Sequence, residues 1–289
     1  MKPETKTALP SPMQQALRMY LRSPVAILGS GLLLLLLLFT FLGPMLYQVD
    51  PLEMVSVPFT PPFTDATAWL GTDQLGRDIL AGLVNGGAMT LAVGALAACL
   101  SLSIGITLGA LAGYYGKGLD LLLMRITEFF QVLPALLFAM VIVTLFAPSI
   151  ATIAIAIGVV SWTGVARLTR GEFLRLKTLE FILAERAAGA RTARLIWRVI
   201  LPNALAPLLV SATFAVGAAI LFEAGLSYLG LGDPNVWSWG RMIGDGRQYV
   251  LDAWWVVTWP GLMIFLTVLS ITLVADGLNQ ALNPKLRDR

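Results

Sequence analysis

A chain of 289 residues that is 57% hydrophobic and 13% charged, with a mean hydropathy of +0.79, lacks the polar residues to cover a water-facing surface, so it must lie in lipid. A single cysteine, Cys99, excludes an internal disulfide, and the absence of histidine removes histidine-based zinc sites, Ser-His-Asp triads and the common physiological-pH switch. The net charge of +3 comes without a basic stripe interleaved with aromatics, so nucleic acid is not expected as a partner and the excess belongs to loops on one side of a membrane.

About 20 apolar residues cross roughly 30 Å of hydrocarbon, and uncharged runs of that size predict six spans, over 25–46, 89–113, 129–148, 150–165, 204–222 and 254–275. Ahead of them, residues 1–24 read as a tail, disordered over its proline-bearing first dozen residues, with an interfacial helix beginning near Ala16. The first span carries seven consecutive leucines, 32–38, and no polar face, which predicts an anchor that packs loosely and looks mainly at lipid. It is too long for a signal-peptide core, and no Ala-x-Ala-like site follows Leu46, so it is read as retained. The external segment 47–87 contains Pro51, Pro58, Pro61 and Pro62 and then GTDQLGRD at 71–78, which predicts an extended path, either a lid or docking surface or a solvated connector. A core membrane domain then covers 88–278, and residues 279–289 form a second tail.

In the second span Ala97, Ser101, Gly105, Gly109 and Gly113 recur every four residues. Lipid gives helices no hydrophobic reason to associate, so such a ridge of small side chains is a face for close backbone approach, within this chain or toward another. The third and fourth spans are parted only by Ala147, Pro148 and Ser149, which leaves five spans with one bent element as the competing topology. Orientation follows from charge: with a cytoplasmic N-terminus, seventeen of the twenty basic residues lie inside, and Asp50, Glu53, Asp65, Asp73, Asp78, Asp233, Asp245 and Asp252 lie outside. Both termini are then cytoplasmic, which requires an even number of spans.

The stretch 166–203, between the fourth and fifth spans, holds eight basic and three acidic residues. Thr178 is positioned to cap a helix from Leu179, Gly189 to end it, and Thr192 to cap a second one toward Leu201 and Pro202. The first would present Phe181, Ala184 and Ala188 on one side, suited to a partner's groove; an amphipathic helix on the inner leaflet explains the charge equally well.

This stretch resembles the cytoplasmic signature of permease subunits of ATP-binding-cassette importers: Glu-Ala-Ala, three residues, Gly, nine residues, Ile, one residue, Leu-Pro. Here the positions read Leu183, Ala184, Glu185, then Gly189, Val199, Leu201 and Pro202, with Leu183 in place of the glutamate and Glu185 in place of the second alanine. Further segments resemble the C-type permease of dipeptide, oligopeptide and nickel importers: GTDQLGRDIL at 71–80, Trp162, Ala166 and Arg167, Arg170 to Glu172, EAGLSYLGLGDP at 223–234, Trp239 and Gly240, Pro260 and Gly261, Asp276 and Gly277, and Leu282 to Pro284.

The resemblance implies an all-α type I importer permease in a bacterial inner membrane. It would pair with a paralogous B-type permease and take peptide from an extracytoplasmic binding protein, with nickel as the alternative cargo. Two ATPase subunits would hold ATP and magnesium, no cofactor being expected in this chain. It also implies that Leu183, Ala184, Glu185, Arg186, Ala187, Ala188, Gly189, Ala190, Leu201 and Pro202 form the ATPase-docking element. Asp73, Arg77, Glu223, Asp233 and Arg241 are candidates for translocation or external docking. The chain's only look-alike of a phosphate-binding loop, Gly113 to Gly118, has the wrong spacing and no Ser or Thr after Lys117, so ATP hydrolysis is not expected here. A secondary transporter is disfavoured by nearly charge-free span centres and no visible internal repeat, and an intramembrane enzyme by the lack of a nucleophile-base pair.

Overall fold

The computed structural model describes residues 12–282. The disordered tail expected before residue 12 and the C-terminal tail beyond 282 lie outside those residues, as do Lys2, Lys6, Lys285, Arg287 and Arg289. Among the described residues the regular structure is helical, apart from two isolated bridges, Met54 with Arg77 and Thr72 with Asp78.

Helix α1 (Pro12–Arg22) is separated from α2 (Pro24–Leu46) by Ser23, which Pro24 forces into extended backbone and whose hydroxyl accepts the Ala26 N–H at 3.4 Å. A 2.6 Å hydrogen bond between Tyr20 and Ser30 ties the two helices. The leucine run does face outward at Leu34 and Leu35, but α2 is not loose: a seam of Ala26, Gly29, Leu36 and Thr40 is buried. A Cβ on Gly29 would sit 2.6 Å from that of Leu273. The seam is narrow and, apart from Leu36, made of small residues, so it stands out little in hydropathy from the leucines around it.

Helix α3 (Ile79–Tyr115) starts ten residues before the predicted span. Asn85, Gly86 and Gly87 fall in the segment 47–87 expected to be external, yet the Asn85 amide donates to its own helix at the Ala81 carbonyl, and the two glycines admit Trp239 and Thr40. The run predicted as a third span is broken into α4 (Lys117–Val132) and α5 (Ala135–Phe146), bent by 87°. Pro134 has no N–H and holds Leu133 extended, so neither half continues the other. Helix α6 (Ile150–Leu176) begins at the Ser149 cap and passes the predicted end by eleven residues, since after Val165 charged residues alternate with helix-forming apolar ones such as Ala166, Leu168, Leu174 and Leu176. Next come α7 (Glu180–Ala187), α8 (Thr192–Arg194), a π-helical stretch over Leu195–Ile200, α9 (Leu201–Tyr228), α10 (Trp239–Gly246) and α11 (Trp255–Leu282).

Five stretches are long and apolar enough to cross a membrane: α2, α3, α6, Thr192–Tyr228 and α11; the bent α4–α5 pair supplies the sixth if it is one span. The ridge expected on α3 packs within the chain. Cβ atoms on Gly105 and Gly113 would lie 2.8 Å from the carbonyl oxygens of Trp162 and Arg170, so glycine lets α3 and α6 meet backbone to backbone as the central pair. Around it lie three apolar clusters, the third of which joins Ala110, Phe173, Leu176, Ile182, Ile196 and Ile200 at the end where the basic residues collect.

Candidate functional site

At that basic end, α6 is locked to α3 before the chain leaves the bundle. The Lys177 ammonium donates to the Gly113 carbonyl at 2.7 Å, and Arg170 donates twice to Asp120, at 2.5 and 2.7 Å, from the start of α4. The chain then turns into α7. Neither expected threonine cap forms: Thr178 donates to the Arg175 carbonyl, Leu179 occupies the cap position, and Arg191 stands at the position before α8, so Thr192 is the first residue of that helix. Each threonine is one residue out of register with the helix start.

One side chain of α7 is sunk in the bundle, Ile182, fully buried among the apolar cluster. Its remaining faces are open: Phe181 and Leu183 are 43% and 48% exposed, and Ala184, Arg186, Ala187 and Ala188 are exposed as well. The Arg186 guanidinium lies over the Tyr114 ring, 5.6 Å from its centroid. Gly189 ends the helix at φ +83°, a conformation that side-chain-bearing residues resist, while its N–H bonds the Arg186 carbonyl and the Ala190 N–H bonds that of Glu185. Beside the exposed alanines lies an open groove of about 840 Å³ lined by Phe181, Ala184, Glu185, Ala188, Arg191 and Arg194. Glu185 and Arg194 face one another loosely across it at 3.9 Å.

The chain re-enters the bundle through the π-helical stretch. Pro202 has no N–H to offer the Arg198 carbonyl, and the Leu201 N–H instead reaches back five residues to Ile196. Leu201 is half-buried and Pro202 exposed, so the Leu-Pro pair marks where an irregular wide turn becomes the regular helix α9.

The opposite end is built differently. Residues 47–78 do not run extended but fold down onto α10 and α11. Trp255 donates its indole N–H to the Thr72 carbonyl at 3.1 Å, Tyr47 donates to Asp78, and Asp78 caps α3 through the N–H groups of Leu80 and Ala81. Burial and that bond to Asp78 push the Tyr47 phenol above its ordinary value. The GTDQLGRD stretch is a tight turn: Gly71 and Gly76 have φ of +85° and +75°, and buried Asp73 accepts the N–H groups of Leu75 and Arg77. Burial pushes the Asp73 carboxyl above its usual range, against the lowering pull of those N–H groups.

The other candidates at this end are likewise engaged inside the chain. Glu223, 3% exposed, accepts from Ser227 at 2.9 Å and from Ser238 at 3.0 Å, joining α9 to the cap of α10. Asp233 accepts the Ile150 N–H at the start of α6. Arg241 donates to the Pro234 and Val236 carbonyls, and both it and Arg77 lie over the Trp237 ring. Sequence reasoning missed Trp237 as the shared platform and Ser238 as the partner of Glu223. The first had no motif to mark it, and the second lies fifteen residues away in the chain.

Comparison with known proteins converges. Residues 105–288 match the family model described as a binding-protein-dependent transport system inner membrane component, and residues 11–65 match that of the N-terminal TM domain of oligopeptide transport permease C. The dipeptide transport system permease protein DppC of Alkalihalophilus pseudofirmus is 37% identical over 291 residues, covering 99% of this chain and 94% of that protein. The di/tripeptide permease DppC of Pseudomonas aeruginosa is 39% identical over 285 residues (96% and 94%), and the oligopeptide permease OppC of Bacillus subtilis 35% over 277 (95% and 90%). Among solved structures, a chain of the methionine ABC transporter MetNI in an inward-facing conformation superposes with a TM-score of 0.59 at 21% identity, covering 70% of this chain and 96% of that one, which is a likeness of fold.

Proposed function

This chain belongs to the binding-protein-dependent permease subunits of ATP-binding-cassette importers, within the peptide permeases, and on that premise we propose that α7 is the lever through which separate ATPase subunits drive it. The observation that carries this reading is a helix held to the bundle by one buried side chain, Ile182, with its alanine face and groove open to solvent.

On this reading Ala184, Ala187, Ala188 and Ala190 admit close backbone approach of the ATPase, Leu183 supplies apolar contact, and Glu185 and Arg186 meet charges on its surface. Gly189 reverses the chain, and Leu201 with Pro202 begins the return to the bundle. Force reaches the spans because Lys177, Asp120 and Arg170 fasten the base of α7 to α3, α4 and α6. ATP and magnesium are held by two partner ATPases. Their closure draws this chain and a paralogous B-type permease together as rigid bodies, opening the path alternately to each side.

On this reading the chain sits in the bacterial inner membrane with both termini and α7 cytoplasmic, an orientation that the distribution of basic residues supports. Residues 25–46 are an anchor on the core 88–278. The segments 47–87 and 226–253 form the face on which an extracytoplasmic binding protein delivers di- or oligopeptide. Asp73, Arg77, Glu223, Asp233 and Arg241 give that face its shape, while exposed Asp50, Asp245 and Asp252 are available to the partner.

The test is reconstitution with the paralogous permease, the two ATPases and the binding protein in liposomes. Labelled dipeptide should accumulate only with ATP and with both ATPases present. Accumulation without ATP would refute the reading, and calorimetry on the binding protein decides between peptide and nickel.

A further inference from the structure

The last turn of α3 does more than end a helix. Gly113 brings it against α6, since a Cβ there would lie 2.6 Å from that of Phe173 and 2.8 Å from the Arg170 carbonyl oxygen. Gly116 closes α3 at φ +67°. The Lys177 ammonium, just past α6, donates to the carbonyls of Gly113 at 2.7 Å and Tyr114 at 3.5 Å, where a final helical turn has acceptors to spare. The backbone of Tyr114 is thereby held to α6, and its side chain serves a third element. Half-buried, it packs against the apolar cluster that contains Phe173, Leu176, Ile182 and Ile196. The Arg186 guanidinium of α7 lies over its ring, 5.6 Å from the centroid, with one nitrogen 3.5 Å from its hydroxyl.

The placement of that contact on α7 matters more than its strength. At roughly 100° per residue, Arg186 falls about 40° round the helix from Ile182, one turn on, whereas Ala184 and Ala188 fall about 200° and 240° from it. The two residues that touch the bundle therefore share one face, and the alanines that line the open groove share the opposite one. Ile182 by itself leaves a short helix free to roll about its axis; a second contact one turn away fixes the roll. A guanidinium over a ring also keeps N–H donors for other partners, so Arg186 can hold Tyr114 and meet a carboxylate on an ATPase at the same time.

We propose that Tyr114 is a positioning residue for coupling. Through Arg186 it sets the rotation of α7, aims the face of Ala184 and Ala188 away from the bundle, and gives α7 a direct connection to α3, the helix at the centre of the fold. This rests on α7 being the lever that docks the ATPases. Tyr114 itself touches neither peptide nor nucleotide; it acts by holding Arg186.

The test measures dipeptide carried per ATP hydrolysed by the assembled importer in proteoliposomes. Tyr114→Met fills similar space without a ring. It should lower that ratio roughly two- to fivefold, as loss of one exposed cation–ring contact implies, with assembly intact. Tyr114→Phe, which keeps the ring, should retain most of the ratio. Arg186→Gln removes the same contact from an exposed position and should lower the ratio at least as far, with Arg186→Lys recovering most of it. In the Arg186→Gln background, Tyr114→Met should add nothing. A wild-type ratio in Tyr114→Met or in Arg186→Gln overturns the proposal. So does an undiminished loss from Tyr114→Met once Arg186 is gone, which makes Tyr114 a packing residue only. Where Tyr114→Met does not assemble, Arg186→Gln and Arg186→Lys decide by themselves. An Ala188→Cys cross-link that reaches no ATPase, on a Cys99→Ser background with Tyr114 and Arg186 in place, would instead strike the lever reading.

Discussion

The two ends of the molecule use their polar residues in opposite ways. At the far end Asp73, Asp78, Glu223, Asp233 and Arg241 all turn inward, bonding backbone groups, hydroxyls or the start of a neighbouring helix. At the basic end the short hydrogen bonds fasten the base of the projection, through Lys177 and the Asp120–Arg170 pair, while on α7 and its return Arg191 is exposed and Glu185, Arg186 and Arg194 make only looser contacts, Glu185 with Arg194 at 3.9 Å and Arg186 over the Tyr114 ring. Inward bonding makes a surface of fixed shape; an outward helix on a single buried anchor leaves its face open, as the docking role proposed for α7 needs. Substitutions at the two ends should therefore fail differently, one in stability and the other in coupling.

The largest contrast is expected from Gly189→Asp. At φ +83° the new side chain costs about 1–2 kcal/mol locally and meets no neighbour within 4 Å, so the protein should still insert and assemble. ATP-driven dipeptide uptake should fall at least tenfold while ATP hydrolysis continues, measured side by side in proteoliposomes. Glu223→Ala should reverse that profile. It leaves the Ser227 and Ser238 hydroxyls without their acceptor in the interior, a loss of about 1–3 kcal/mol, so thermal unfolding in detergent should begin several degrees lower while the ATPases still bind.

Arg241→Ala removes donors from the Pro234 and Val236 carbonyls and one cation from Trp237. Its cost should be smaller, about 1 kcal/mol, and limited proteolysis should show it confined to the 233–245 turn. The smallest effect belongs to Asp65, half-buried at the surface and held below its ordinary carboxylate value by the Thr67 N–H and by the Ser56 and Thr67 hydroxyls. A lowered value gives stability that is present above the ordinary carboxylate range and lost as pH falls through the folded value. Asp65→Asn should therefore lower stability slightly at pH 7 and flatten the acid limb of a stability-against-pH curve, since the carboxylate's contribution is already gone at low pH.

Much of this contrast could be read in advance, and what could not has identifiable causes. The Gly105, Gly109 and Gly113 ridge and the spacing from Ala184 through Gly189 to Leu201 and Pro202 were legible, because close packing and chain reversal each demand particular residue types. The early start of α3 was hidden: Asn85, Gly86 and Gly87 count toward the external segment until Trp239 and Thr40 are seen to pack against the glycines. The break at Pro134 was open to view but outweighed by the apolar run around it, and its consequence is the 87° bend between α4 and α5. The roles of Glu223 and Asp233 depend on Ser238 and Ile150, partners chosen by tertiary structure with no local pattern to announce them.

The most direct measurement of the account's main claim is a cross-link from the exposed Ala188 position. With Cys99→Ser as background, Ala188→Cys in the assembled importer should join an ATPase subunit through a short thiol-reactive linker, and the yield should change when ATP is bound. A cysteine at that position reached only by reagents on the extracytoplasmic side, or joined to no ATPase in any nucleotide state while uptake proceeds, would contradict it.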